Sequence, residues 1–126
     1  MKRIVLAILL LAALMTTAGL LAATASADPR SNESATVEFA EPVALLGHFL
    51  HGRYRVEHDE DRMAKGEDCT YIYNRQGKLV VSFHCTPVQR PKADRFTIFV
   101  WRELSASTPR IKEIQFSGST EAHQVP

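Results

Sequence analysis

Five side chains within the segment from His58 to Cys85 carry soft or borderline donor atoms: His58, Met63, Cys69, His84 and Cys85. Imidazole, thiolate and thioether together suit copper or zinc. No Cys-x-x-Cys or His-x-x-x-His pair anchors the set. His84 and Cys85 are neighbours on an expected strand and therefore point to opposite faces, so they do not meet on one ion without a bulge. The same residues bear on catalysis. A cysteine nucleophile needs an imidazole within reach and an activated, exposed thiolate, whereas Cys85 is expected to face the core, away from His84. No Gly-x-Ser-x-Gly elbow is present. The sequence thus offers no catalytic residue.

Both cysteines lie in "EDCTYIYNRQGKLVVSFHC", and three readings of them are open: a disulfide, a metal-binding pair, or two small core residues. The elements around them bear on the choice. "NRQG" has Asn at the first turn position and Gly at the fourth, which predicts a type I turn closed by a glycine bulge. Asn74 then pairs with Lys78, Tyr73 with Leu79, Tyr71 with Val81 and Cys69 with Phe83. In that register the odd-numbered residues make the core face, and Thr70, Ile72, Val80, Ser82 and His84 face away. Cys69 and Cys85 become diagonal neighbours, with Cα atoms about 7–8 Å apart. A disulfide asks for less than roughly 7 Å, so the strand must bend inward near Gly66 to allow one. A bridge there would close a loop of about 16 residues, worth on the order of 3 kcal/mol in a chain-entropy account.

Period-two patterning governs the rest of the chain. "TVEFAEPV" sets Val37 and Phe39 against Glu38, and Pro42 ends the run. "GRYRVEH" places Tyr54, Val56 and His58 on one face and Arg53, Arg55 and Glu57 on the other. "DRFTIFVWREL" is apolar on both faces, as a central strand covered on both sides would be, and Trp101 within it reads as core rather than as a ligand platform. "RIKEIQF" supplies the last expected strand. The charged "DEDRMAKGED" has no apolar stripe and reads as a solvated loop. Its acidic run, Glu57 to Asp61, lacks the spaced ligands and glycine of a calcium loop. His48 and His51, in "GHFLHG", read as a solvated turn. Several short strands without a long helical pattern predict an all-β fold, a small antiparallel sandwich or open barrel.

The N-terminus predicts export. Lys2 and Arg3 precede an apolar run from Ile4 to Ala25, and Ala25-Ser26-Ala27 forms a small-x-small cleavage site. Residues 1–27 are expected to be a signal peptide, 28–35 a disordered lead-in and 36–126 a single β domain. Asn32-Glu33-Ser34 matches the glycosylation acceptor pattern. Without Lys2 and Arg3, the 15 basic residues become 13 against 14 acidic ones. That balance offers no basic face for nucleic acid, and cleavage leaves no stable membrane insertion.

"FAEPVALLGHFLHGRYRV", Phe39 to Val56, and "WRELSASTPRIKEIQFSG", Trp101 to Gly118, resemble the opening and closing segments of a family of small secreted bacterial β-proteins. The shared features are Phe-x-x-Pro-Val, a turn carrying Gly47, Leu50, Gly52 and Tyr54, and a closing Thr-Pro…Lys-Glu…Phe-x-Gly hairpin. The resemblance implies export and a β fold, and it assigns no activity and no role to the cysteines.

The sequence therefore predicts a secreted or periplasmic binding or structural module with no cofactor, stapled by a Cys69–Cys85 disulfide. The alternative is a small copper- or zinc-binding protein using His58, Met63, Cys69, His84 and Cys85.

Overall fold

The computed structural model describes residues 32–126. The expected signal peptide and residues 28–31 of the lead-in lie outside the described residues. The fold is all-β, as the alternation predicts. Its strands are β1 (Glu33–Leu45), β2 (His48–His58), β3 (Thr70–Asn74), β4 (Leu79–Phe83), β5 (Thr86–Gln89), β6 (Thr97–Trp101), β7 (Arg110–Gln115) and β8 (Glu121–Gln124). One short helix, α1 (Glu60–Ala64), interrupts them. β1 already begins at Glu33, so residues 33–35 of the expected lead-in are strand, with Ala35 paired to Val56.

The strands form one curled, half-barrel sheet in the order β4-β3-β2-β1-β7-β8-β5, with β6 on β7. Most pairings are antiparallel, and β1 meets β7 in parallel at Ala44 and Arg110. β4 and β5 stand at opposite ends of this order yet are consecutive in the chain. Only His84 and Cys85 join them, so the curl brings its two ends together at a seam. Val43, Leu45, Leu50, Val56, Ile72, Phe83, Ile111, Ile114 and Phe116 fill the concave side, with Cys69 and Cys85 among them.

β1 and β2 form a long hairpin whose two-residue turn is Leu46-Gly47, with φ of 46° and 81°. Positive φ at both central positions matches the twist of the flanking strands. Farther along, the pairing slips between Phe39–Gly52 and Val43–Leu50. Pro42, which has no N–H to donate, falls in this bulge.

Three expectations are corrected here. The 74–77 turn forms as predicted, with Gly77 N–H donating to the Asn74 carbonyl (2.9 Å) and Asn74 N–H to that of Lys78 (2.9 Å). Tyr73 also pairs with Leu79, but a bulge then leaves Val80 unpaired, and Ile72 meets Val81, Tyr71 meets Ser82 and Thr70 meets Phe83. One extra residue reverses the parity of β3. Thr70 and Ile72 are therefore buried, and Tyr71 and Tyr73 are half-exposed.

The second correction concerns "DRFTIFVWREL". β6 pairs only with β7, and Phe99, Val100 and Trp101 are exposed, Trp101 by 59%. An apolar run does not by itself distinguish a central strand from an edge. Third, the charged loop holds α1, and "RIKEIQF" is followed by a further strand, β8.

Candidate metal centre

The alternation that buries Val56 in β2 also buries His58, two residues on. Register places Glu33 of β1 on one side of His58 and Thr70 of β3 on the other. The chain then turns sharply. Asp59 N–H donates to the Cys69 carbonyl (2.8 Å), and the Asp59 carboxylate caps α1 by accepting from Arg62 N–H (3.0 Å). α1 so placed returns the Glu60 carboxylate to His58 Nε2 at 3.1 Å. It also brings the Met63 sulfur to 3.7 Å from Cys85 Sγ. Cys69 lies just before β3, its N–H bonded to the Phe83 carbonyl (3.0 Å). Cys85 sits in the seam after β4, its N–H donating to Cys69 Sγ (3.4 Å).

Both cysteines are buried and free, with their sulfurs 3.0 Å apart. A disulfide bond is about 2.05 Å long, so the expected bridge is absent. The expectation that the sulfurs meet is right, and the covalent link is not. The thiols contact each other as hydrogen-bonding groups, with Cys69 Sγ also 3.8 Å from the Phe83 carbonyl. Cys85 Sγ lies 3.9 Å from His58 Nδ1, and Thr70 Oγ1 lies 3.3 Å from the same nitrogen.

Burial sets the charge states. Desolvation, and after it the neighbouring His123, lower the His58 pKa from 6.5 to about 4, with Asp59 opposing weakly. Burial and the hydrogen bond with Cys69 push the Cys85 thiol up to about 12. Among these groups the neutral forms are favoured, and a protonated thiol is a poor nucleophile. An ionised carboxylate only accepts hydrogen bonds. When Nε2–H donates to Glu60, Nδ1 turns its lone pair toward Thr70 and the thiols.

One residue of the cluster escapes sequence reasoning. His123, in β8, is paired with Ile114 of β7 and with Pro87 of β5, two residues after Cys85. Its ring stacks on His58 with centres 3.8 Å apart and planes 26° from parallel. Phe116 closes the apolar side at 6.1 Å from His123 and 6.3 Å from His58. His123 is 1% exposed, and neither ring nitrogen has a hydrogen-bond partner. Glu33 and Glu121 approach only to 3.6 and 4.0 Å. A four-residue strand shows no period to read. The available signal was the turn around Gly118 (φ 81°) after Phe116, which starts a final hairpin.

Of the metal-ligating residues expected from sequence, His58, Met63, Cys69 and Cys85 come together and His84 does not. His84 is exposed and bonds through Nδ1 to the Glu67 carbonyl at 2.8 Å, on the face opposite Cys85. His48 and His51 begin β2 and are exposed, with His51 Nε2 3.2 Å from the Ala40 carbonyl. The acidic run is engaged locally: Glu57 pairs with Arg55 at 2.6 Å and Asp59 caps α1. Among the described residues, no helix is long and apolar enough to cross a membrane. Comparison of the chain with protein-family models, with curated proteins and with solved structures gives no match.

Proposed function

We propose that the protein binds one thiophilic metal ion, copper(I) or zinc(II), through His58 Nδ1, Cys69 Sγ and Cys85 Sγ, with the Met63 thioether at a fourth position. One observation carries this reading: ligand atoms of His58, Cys69 and Cys85 lie within 4.8 Å of one another, and all three residues are buried. A tetrahedron on Zn–S bonds of about 2.3 Å has edges of about 3.8 Å. The Cys85–His58 separation of 3.9 Å is about 0.3 Å longer than the roughly 3.6 Å sulfur–nitrogen edge that a Zn–N bond of about 2.05 Å gives. The sulfurs, at 3.0 Å, would part by under about 1 Å to match the sulfur–sulfur edge.

The surroundings support the same chemistry. A neutral imidazole is the ligand form, and Glu60 on the far nitrogen is the carboxylate partner that orients many metal-bound histidines. Thiolate and thioether donors favour copper(I) among common ions, and Met63 is the feature that separates it from zinc(II). This reading takes up the alternative drawn from the sequence, a small copper- or zinc-binding protein, without His84.

Titration of the reduced protein with copper(I) or zinc(II), each against a chromophoric chelator, tests the reading. One ion per chain should bind, protect both thiols from alkylation and release protons as the thiols ionise. Met63→Leu should weaken copper(I) more than zinc(II). Thiols that alkylate equally fast with and without metal would overturn the reading, as would a protein that oxidises to a disulfide and takes up neither ion.

A further inference from the structure

We infer that a second cation position, of borderline rather than soft character, lies beside the thiol pair, formed by His58 Nε2, a Glu60 carboxylate oxygen and a His123 ring nitrogen. It rests on the metal-binding reading only through His58, which both positions share. The ligand atoms of these three residues also lie within 4.8 Å of one another. An independent observation points to a ligand. His123 is 1% exposed, yet both of its ring nitrogens lack hydrogen-bond partners. A buried polar group left in this way is destabilising, and a cation on one nitrogen would remove part of that cost.

The donor set differs from that of the first position. Two imidazoles and a carboxylate suit zinc(II), cobalt(II) or manganese(II), and they give copper(I) no sulfur. Glu33, 3.6 Å from His123 Nε2, adds a nearby negative charge. A cavity of about 330 Å³, lined by Glu33, Glu57, His58 and Arg62 among others, lies against this side of the cluster. The cavity reaches the cluster at Glu33 and His58, while His123, Cys69 and Cys85 are all buried.

His58 makes the two positions alternatives. A neutral imidazole carries one proton. With the proton on Nε2, bonded to Glu60, Nδ1 is the ligand and faces Cys85. With the proton on Nδ1, bonded to Thr70 Oγ1 at 3.3 Å, Nε2 is the ligand and faces Glu60 and His123. Movement of an ion from the thiol position to this one thus requires exchange of the His58 tautomer, which leaves that ring's proton count unchanged, and return to the thiols of the protons they gave up on binding. The rings stand 26° from parallel, so binding by both would splay them.

The test uses cobalt(II) as the probe, because thiolate ligation adds charge-transfer absorption that imidazole and carboxylate ligation lack. Cys69→Ser/Cys85→Ser protein should bind one cobalt(II) without that absorption, and adding His123→Gln or Glu60→Gln should weaken binding at least tenfold. Wild-type protein should bind one cobalt(II), with the thiolate signature. Double-serine protein that is folded by circular dichroism and binds no cobalt(II) would overturn the inference. Binding that survives both further substitutions would do so too, and so would two ions held together by wild-type protein. If the serine variant does not fold, manganese(II) binding to wild-type protein, followed by electron paramagnetic resonance, replaces it. Loss of that signal in His123→Gln supports the second position, and its absence or persistence in both proteins sinks it. A missing thiolate signature in wild-type protein would count against the first position alone.

Discussion

The imidazoles of His58 and His123 lie face to face with centres 3.8 Å apart, brought there by β5, which pairs Pro87, two residues beyond Cys85, with His123. The stack is buried on both sides, and a positive charge on either ring would meet the other at short range.

For the metal-free protein this sets a pH dependence. His58 titrates near 4 in the fold because of burial first and His123 second, and near 6.5 when unfolded. Between those values the unfolded chain holds the extra proton, so stability rises with pH across that window and is lost as pH falls through it. The full effect is on the order of 3 kcal/mol. Urea unfolding between pH 4 and 7 should show the slope, and His58→Gln should flatten it. A His58 NMR titration midpoint near 6.5 in the folded protein would contradict the expectation.

The thiols should be inert in the metal-free fold. Cys85 is raised to about 12 by burial and its neighbour, and Cys69 is fully buried. Alkylation at pH 8 should therefore be at least about tenfold slower in native than in unfolded protein. Bound metal must displace the Cys85 proton, so affinity should rise with pH over the neutral range. Calorimetry in buffers of different ionisation enthalpy measures the released protons directly.

The parity of β3 is testable by truncation. Ile72, 1% exposed, should cost about 2–5 kcal/mol when replaced by Ala. Tyr71, on the outer face with its hydroxyl accepting from Arg62 (2.7 Å), should cost roughly 1 kcal/mol. The reverse order in thermal unfolding would restore the unbulged register.

Leu46 is the non-glycine residue with positive φ among the described residues, at 46°. Leucine tolerates that region poorly, whereas asparagine visits it readily. Leu46→Asn should raise stability by about 0.5–1 kcal/mol. Gly47→Ala should lower it by about 1 kcal/mol, because the same backbone region disfavours a Cβ. Chemical denaturation of the two variants checks both signs.

Much of this arrangement is legible from residue order. The alternation in "GRYRVEH" places His58 inward, and "NRQG" fixes a turn that puts Cys69 and Cys85 near each other. Met63 and the two cysteines therefore appear among the candidates before any coordinates. The rest depends on features without a local signature. The Val80 bulge changes which face of β3 is buried, and no residue type announces it. Glu60 becomes a partner of His58 only because Asp59 caps five helical residues in a run of charges. His123 belongs to a strand too short to show a period, and its role depends on β5 lying beside it.

The seam between β4 and β5 has a kinetic consequence. His58, Met63, Cys69 and Cys85 sit on consecutive elements, so their meeting requires only short loops to close. His123 arrives only when residues 86–89 pair with residues 121–124, a closure over more than thirty intervening residues. Pairings of long sequence separation form slowly, and domains dominated by them fold in roughly milliseconds to seconds. On that ground the sulfur half of the cluster should have its ligands in place before the imidazole stack forms.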